Sequence, residues 1–209
     1  SICSNTDFPG LSGTLPVGGT APYTYLWESS VTSESAGFSR APGVNNQQNY
    51  IPPSKLEQTT WFRRIVIDAS PTPLEDISKP VQIIVQPAIT GNLIGKDTVI
   101  CYGQNPLSLI PLNSGPSGGN GSYQYQWLSN TDNTTWTQNA AGVSSLAYYD
   151  PDPLTQTTYY KRFVTSGRCV DLSATVTINV LPSITGNITT RPDSVICQGA
   201  LFPLLSASA

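Results

Sequence analysis

Aromatic residues recur at every second position over two short stretches, and the two stretches are copies of each other. Gly18-Gly19-Thr20-Ala21-Pro22-Tyr23-Thr24-Tyr25-Leu26-Trp27 returns as Gly118-Gly119-Asn120-Gly121-Ser122-Tyr123-Gln124-Tyr125-Gln126-Trp127. Each is a glycine-rich turn followed by Tyr-x-Tyr-x-Trp, the period-two mark of a β-strand with one aromatic face. The last strand of each copy alternates as well, with Val81, Ile83 and Val85 matching Val176, Ile178 and Val180. No capped stretch has helical period, and Pro and Gly recur too often for a long helix. The chain reads as all-β.

Other anchors recur in the same order. Ile2-Cys3, Ile100-Cys101 and Ile196-Cys197 are offset by 98 (101 − 3) and 96 (197 − 101). Thr59-Thr60-Trp61-Phe62-Arg63-Arg64 matches Thr157-Thr158-Tyr159-Tyr160-Lys161-Arg162, and Pro87-Ala88-Ile89-Thr90-Gly91-Asn92 matches Pro182-Ser183-Ile184-Thr185-Gly186-Asn187. Small drifts between ordered anchors mean tandem domains whose loops differ in length. A Trp-bearing strand near the middle of a repeat of about a hundred residues fills the core of an immunoglobulin-like sandwich. The expected organisation is two immunoglobulin-like β-sandwich domains, 1–87 and 88–182, and the opening of a third over 183–209. That last piece holds a strand or two, too little to bury a face alone.

Within the second repeat, Val99-Ile100-Cys101 and Leu107 to Ile110 open the sandwich, and Tyr123 to Leu128 is the Trp-bearing strand. Asn130-Thr131-Asp132-Asn133 makes a turn, placing Trp136 on a hairpin partner, and Asp150-Pro151-Asp152-Pro153 makes a corner. Tyr159 to Thr165 and Thr175 to Val180 close the domain. For Tyr159 to Thr165 alternation leaves the inward face open: Tyr159, Lys161 and Phe163 share one side, Tyr160, Arg162 and Val164 the other. Each side is apolar with one long cation that can snorkel.

Composition narrows the function. Of 209 residues only 11 % are charged and the net charge is −3, so the polar surface is Ser, Thr, Asn and Gln, as suits extracellular β-rich repeats. No basic run marks a nucleic-acid surface. No apolar run spans a bilayer and no signal peptide opens the chain; with Met absent, the expectation is a piece of a longer protein. His is also absent, which removes Ser-His-Asp and Cys-His nucleophiles and His-bearing metal sites. Glu28, Glu34, Glu57 and Glu75 of the first repeat are not matched in the second, so no paired-carboxylate site is signalled. The expectation is no enzyme, no metal and no cofactor.

Three of the four cysteines hold one repeated position, and Cys169 stands alone before the last strand of the second repeat. Its counterpart in the first repeat falls near Pro71, in Ser70-Pro71-Thr72-Pro73. The economical pairing is Cys101–Cys169, worth roughly 4 kcal/mol on chain-entropy grounds; four buried thiols are the alternative. Asp150 and Asp152 could ligate Ca²⁺, but the first repeat has Ile51-Pro52-Pro53 there, so a rigid proline turn is the simpler reading. The Tyr/Trp stripes read as core before they read as a sugar-stacking platform. Trp61, Trp136, Tyr148 and Tyr149 lie nearer strand ends and are the candidates for a contact surface.

The run from Gly-Gly through Tyr-x-Tyr-x-Trp, the stretch Thr155-Gln156-Thr157-Thr158-Tyr159-Tyr160-Lys161-Arg162-Phe163-Val164-Thr165-Ser166-Gly167-Arg168-Cys169, and the Val-Ile-Cys opening resemble a known family. They are similar to the Ig-like (PKD-like) tandem repeats of very large cell-surface proteins of gliding Bacteroidota, of the SprB-type gliding-motility adhesin exported by type IX secretion. Asp97-Thr98-Val99 and Asp193-Ser194-Val195 also resemble that group's O-glycosylation sequon, which makes Thr98 and Ser194 candidate glycan carriers. The resemblance implies an extracellular, outer-membrane-associated stalk giving reach and load-bearing in cell adhesion. Its partners would be neighbouring repeats, polysaccharide or a solid surface, and secretion or motility components. A carbohydrate-binding module and an accessory region of a large secreted hydrolase are the rival readings.

Overall fold

The structure is a computed structural model that describes residues 1–136, 139–186, 198–199 and 201. Its described residues contain strands and no helix. In the first repeat these are β1 (Ile2–Cys3), β2 (Thr24–Ser30), β3 (Ser39–Arg40), β4 (Thr60–Ile67), β5 (Glu75–Ile77), β6 (Val81–Ile83) and β7 (Val85–Gln86). The second repeat has β8 (Thr98–Cys101), β9 (Gln124–Asn130), β10 (Thr158–Ser166), β11 (Cys169–Leu172) and β12 (Val176–Leu181).

In the second repeat the Trp-bearing β9 pairs antiparallel with β10, Trp127 opposite Arg162 and Tyr125 opposite Val164. The other edge of β10 is shared by β11 and β12. These two are one strand with a break at Ser173, whose N–H donates to the Arg162 carbonyl (3.0 Å) and whose Oγ accepts from the Arg162 N–H (2.9 Å). β12 then runs parallel to β8, Leu181 opposite Cys101. The first repeat has the same order: β2 on β4, β5 and β6 on the far edge of β4, and β7 parallel to β1 with Cys3 opposite Gln86. A parallel first strand, a returning hairpin and a Trp strand make one layer of an immunoglobulin-like sandwich. Opposite it, extended segments are joined by single bridges, Leu11–Tyr50 and Leu109–Tyr149, in place of a regular second sheet.

Between the layers sits the same aromatic triad in both repeats. Trp127 stacks on Tyr149 (ring centroids 5.6 Å), which tilts against Tyr160 (5.6 Å). Trp27 stacks on Tyr50 (5.8 Å), which tilts against Phe62 (5.6 Å). Large rings bury much area, and their polar tips need partners inside a core. Trp127 Nε1 donates to the Leu146 carbonyl (2.9 Å) and the Tyr149 hydroxyl to that of Ala141 (2.7 Å); Trp27 and Tyr50 do the same to Gln47 (3.0 Å) and Pro42 (2.9 Å). Trp27 and Trp127 are therefore filling, whereas Tyr23, Tyr25, Tyr123 and Tyr125 of the same stripes are only half-buried, which corrects the reading of the whole stripe as core.

The open question about Tyr159 to Thr165 is decided by burial. Tyr160, Arg162 and Val164 point inward, while Tyr159, Lys161 and Phe163 stay half-buried on the outer face. The inward cation is tolerated because the core supplies acceptors and ring faces. Arg162 lies 5.2 Å and 5.7 Å from the centroids of Tyr125 and Trp127. Its Nε donates to Asn92 Oδ1 (2.9 Å) and its Nη1 to the Ala147 carbonyl (2.6 Å), leaving Nη2 without a partner. Burial lowers its pKa. Arg64 takes the matching place, with its guanidinium donating to the carbonyls of Gln48 (3.1 Å) and Thr14 (2.9 Å).

Candidate functional site at the junction of the repeats

The Gly-Gly turn of each repeat is tied to the end of the strand that pairs with the Trp strand. In the first repeat the Asp68 carboxylate accepts the N–H groups of Leu74 (2.7 Å) and Thr20 (2.9 Å) and the Ser70 hydroxyl (2.8 Å). Those donors, the Leu74 and Thr20 amides foremost, hold its pKa down to about 2 from the ordinary 3.8. In the second repeat Ser166 stands in its place and accepts the Asn120 N–H at 3.0 Å. Gly19 and Gly119 have positive φ, and a Cβ on either would press into Asp68 or Ser166.

That end of the second repeat is where the first repeat is seated. The linker Gln86-Pro87-Ala88-Ile89 leaves β7 and enters the second repeat directly, held on both sides. Ser4 N–H donates to the Gln86 carbonyl (2.8 Å) and Ala88 N–H to Ser4 Oγ (3.1 Å). From the second repeat, Gly119 N–H donates to the Pro87 carbonyl (2.8 Å) and Arg168 N–H to Gln86 Oε1 (2.8 Å). Glycine is required at Gly118, where a Cβ would lie 2.1 Å from the Ala88 carbonyl oxygen; at Gly167, which has positive φ, a Cβ would lie 2.5 Å from Gln86 Oε1 and displace that side chain. Beneath the linker, Ile89, Cys3, Cys169 and Val164 form one buried cluster flanked by Tyr123 and Tyr125.

A covalent bond closes this junction. Cys3 of the first repeat is bonded to Cys169 of the second, with Cα atoms 5.0 Å apart, while Cys101 is an exposed thiol. The expected Cys101–Cys169 pairing is thus overturned, for a geometric reason. Cys101 lies opposite Leu181, twelve residues beyond Cys169 (181 − 169) along the same returning strand. At about 3.3 Å per residue the two ends are on the order of 40 Å apart, far beyond the Cα separation of about 4.4–6.8 Å a disulfide spans. The hairpin end bearing Cys169 instead meets the end of β1. A disulfide belongs to an oxidising compartment, which marks the chain as secreted or extracellular. Cys197 lies outside the described residues.

The other candidates do not assemble into a site. Tyr149 is a core ring of the triad, which corrects its reading as a surface contact. Trp61 is half-buried on β4 of the first repeat. Trp136 is half-buried in the loop after β9, its ring 4.5 Å from Lys161 Nζ on the outer face of β10. Tyr148 is exposed on the opposite layer, next to the inward Tyr149, so these rings share no face. Thr98 is exposed at the head of β8, beside Asp97, whose Oδ1 accepts the Thr177 N–H (2.8 Å); Ser194 lies outside the described residues. Asp150 accepts the Ser108 hydroxyl, and no cluster of three or more metal-ligating side chains occurs among the described residues. What sequence reasoning missed is the junction: Ser4, Gln86, Gly118 and Gly167 are ordinary in composition, and only Cys169, unmatched in the first repeat, hinted at it.

Residues 1–87 and 90–182 both match the domain of unknown function DUF8696. The chain belongs to that family, as two tandem copies. No curated protein matches it. Among solved structures it is similar to an amphioxus IgVJ-C2 molecule (14 % identity, covering 85 % of this chain and 98 % of that one, TM-score 0.35). It is also similar to murine CEACAM1b (14 % identity, 80 % and 89 %, TM-score 0.34) and human CDH23 EC21-23 (12 % identity, 99 % and 80 %, TM-score 0.32).

Proposed function

We propose that this chain is a load-bearing segment of the stalk of an extracellular adhesin, with no catalytic role. The observation that carries the reading is the Cys3–Cys169 bond across the junction. Tension applied at Ser1 passes from Cys3 directly to Cys169, so the first repeat and the aromatic triad of the second lie in the bypassed loop, while β11 and β12 carry the load. The finer assignment, to a surface adhesin of gliding Bacteroidota exported by type IX secretion, is supported by the resemblance of the Tyr-x-Tyr-x-Trp and Val-Ile-Cys motifs alone. Glycans on Thr98 and Ser194 belong to the same proposal, and Thr98 is accessible to receive one.

Single-molecule stretching from the two termini tests the load path. The bond spans a sequence separation of 166 residues, or roughly 550–600 Å of fully extended chain at about 3.3–3.6 Å per residue. The oxidised chain should never release that length, whereas Cys3→Ser should release it as its repeats unfold. Equal release from both proteins would sink the stalk reading.

A further inference from the structure

The end of the second repeat that faces away from the first is built like the first repeat's own seated end. Cys3 closes β1 opposite Gln86, and its carbonyl accepts the Thr6 N–H at 3.2 Å. Cys101 closes β8 opposite Leu181, and its carbonyl accepts the Gln104 N–H at 3.1 Å. The linker that follows is copied too, Pro182-Ser183-Ile184-Thr185-Gly186-Asn187 for Pro87-Ala88-Ile89-Thr90-Gly91-Asn92. What differs is cover. Ile89 is 7 % exposed beneath the second repeat, whereas its copy Ile184 is 95 % exposed. Cys3 is buried and bonded, whereas Cys101 is an exposed thiol with Tyr102 and Leu181 exposed beside it. A cysteine, an isoleucine and a proline linker that seat one repeat on another thus recur with nothing over them among the described residues.

We propose that the Cys101–Ile184 end of the second repeat seats a further repeat of this family, and that Cys101 is bonded to a cysteine in that repeat's last hairpin, at the place Cys169 occupies. The proposal rests on the stalk reading and supplies its next covalent link. Ile184 would enter the groove between the new repeat's Tyr-x-Tyr face and its hairpin, as Ile89 does. A second copy of this chain docked through its first repeat cannot close the bond, because that repeat has Pro71 and no cysteine at the hairpin position. In forming the bond, the two thiols lose two protons and two electrons. The disulfide of a thiol–disulfide oxidant takes them up and leaves as a dithiol.

The consequence is mechanical. Cys197 repeats the position of Cys3 and Cys101, and only 28 residues (197 − 169) separate it from Cys169. Were each such cysteine bonded to the repeat beyond, staples would interleave along the stalk, and short stretches like this one would be the only chain under load.

The test uses the protein isolated from its native source without reductant. Free thiols are capped with N-ethylmaleimide, the protein is digested, and disulfide-linked peptides are identified by mass spectrometry. The expected result is complete loss of capped Cys101, with its peptide linked to one from a later repeat whose cysteine precedes that repeat's last strand. Capped Cys101, a bond to Cys197, or a bond to Cys101 of another copy would each overturn the proposal. Cys101→Ser, at an exposed position that does not endanger folding, should uncover one newly capped thiol in that later repeat; its absence would equally overturn it. The Cys3–Cys169 peptide pair in the same digest separates the two readings. A free Cys101 beside an intact pair removes only this proposal, whereas loss of the pair removes the stalk reading.

Discussion

The two repeats share a skeleton almost ring for ring, yet differ at their ends. Their Trp-Tyr-aromatic triads agree within 0.2 Å in centroid spacing (5.8 Å against 5.6 Å). In the second repeat, however, the segment before β8 lays Ile94 against the core, and Val176 on the last strand is 3 % exposed; in the first, Val81 at the same position is 48 % exposed. Above the strands the contrast repeats itself. Ile89 and Cys3 fill the groove beside Tyr123, while the matching groove of the first repeat, walled by Tyr23, Val66 and Leu74, is open. The triad fills the centre of each sandwich; in the second, Ile94 and Ile89 from its own opening segment and Cys3 from the first repeat extend the buried set.

Each difference can be forced. The largest effect should come from Trp127→Ala, which empties the fully buried centre of the second repeat and costs about 3–5 kcal/mol. Calorimetry should show that repeat's transition moving and the other's staying; movement of both together would mean the repeats do not fold on separate cores. Asn92→Ala comes next, at about 2–3 kcal/mol, because it strips an acceptor from a buried guanidinium. Arg64 relies on carbonyls instead, so denaturant unfolding of the first repeat should be unchanged.

The glycine pair isolates the junction itself. Gly18→Ala and Gly118→Ala both place a side chain at positive φ, at about 1–2 kcal/mol each. Only the second also drives a Cβ into the Ala88 carbonyl, where Gly18 faces open space. An extra cost of about 1–3 kcal/mol for Gly118→Ala, read as loss of the compact two-repeat profile in small-angle scattering, would confirm that contact. Equal behaviour of the two variants would deny it.

The smallest effect concerns acid. Asp68 has a folded-state pKa of about 2, below its ordinary 3.8. Its contribution is therefore complete above about pH 4 and is lost as pH falls through 2. The first repeat should lose stability over that window more steeply than the second, where Ser166 does not titrate. Asp68→Asn should lower the first repeat's midpoint at neutral pH and flatten its acid limb; an unchanged limb would show that Asp68 does not hold the turn.

Local pattern carried much of the fold. Turn chemistry and period-two alternation located the Trp strands, the last strands and the repeat itself, because those signals are written in adjacent residues. The second layer was less legible: Leu107 to Ile110 joins the sandwich through a single bridge, since proline and glycine interrupt its ladder. The candidate site was scarcely legible at all. The inward turn of Arg162 was undecidable from alternation, because both faces carried one cation and two apolar residues; it was settled by Asn92 and Ala147, 70 and 15 residues away in sequence.

The amino-acid order by itself thus determined that the chain is built of tandem β-sandwiches filled by Trp and Tyr, and that it carries no histidine-dependent chemistry. Only the tertiary structure decided which cysteines meet. A strand fixes the direction and length over which its residues are carried apart, so Cys101 and Cys169 stand at opposite ends of one repeat. Contact between the ends of successive repeats then brings together Cys3 and Cys169, which the chain separates by 166 residues.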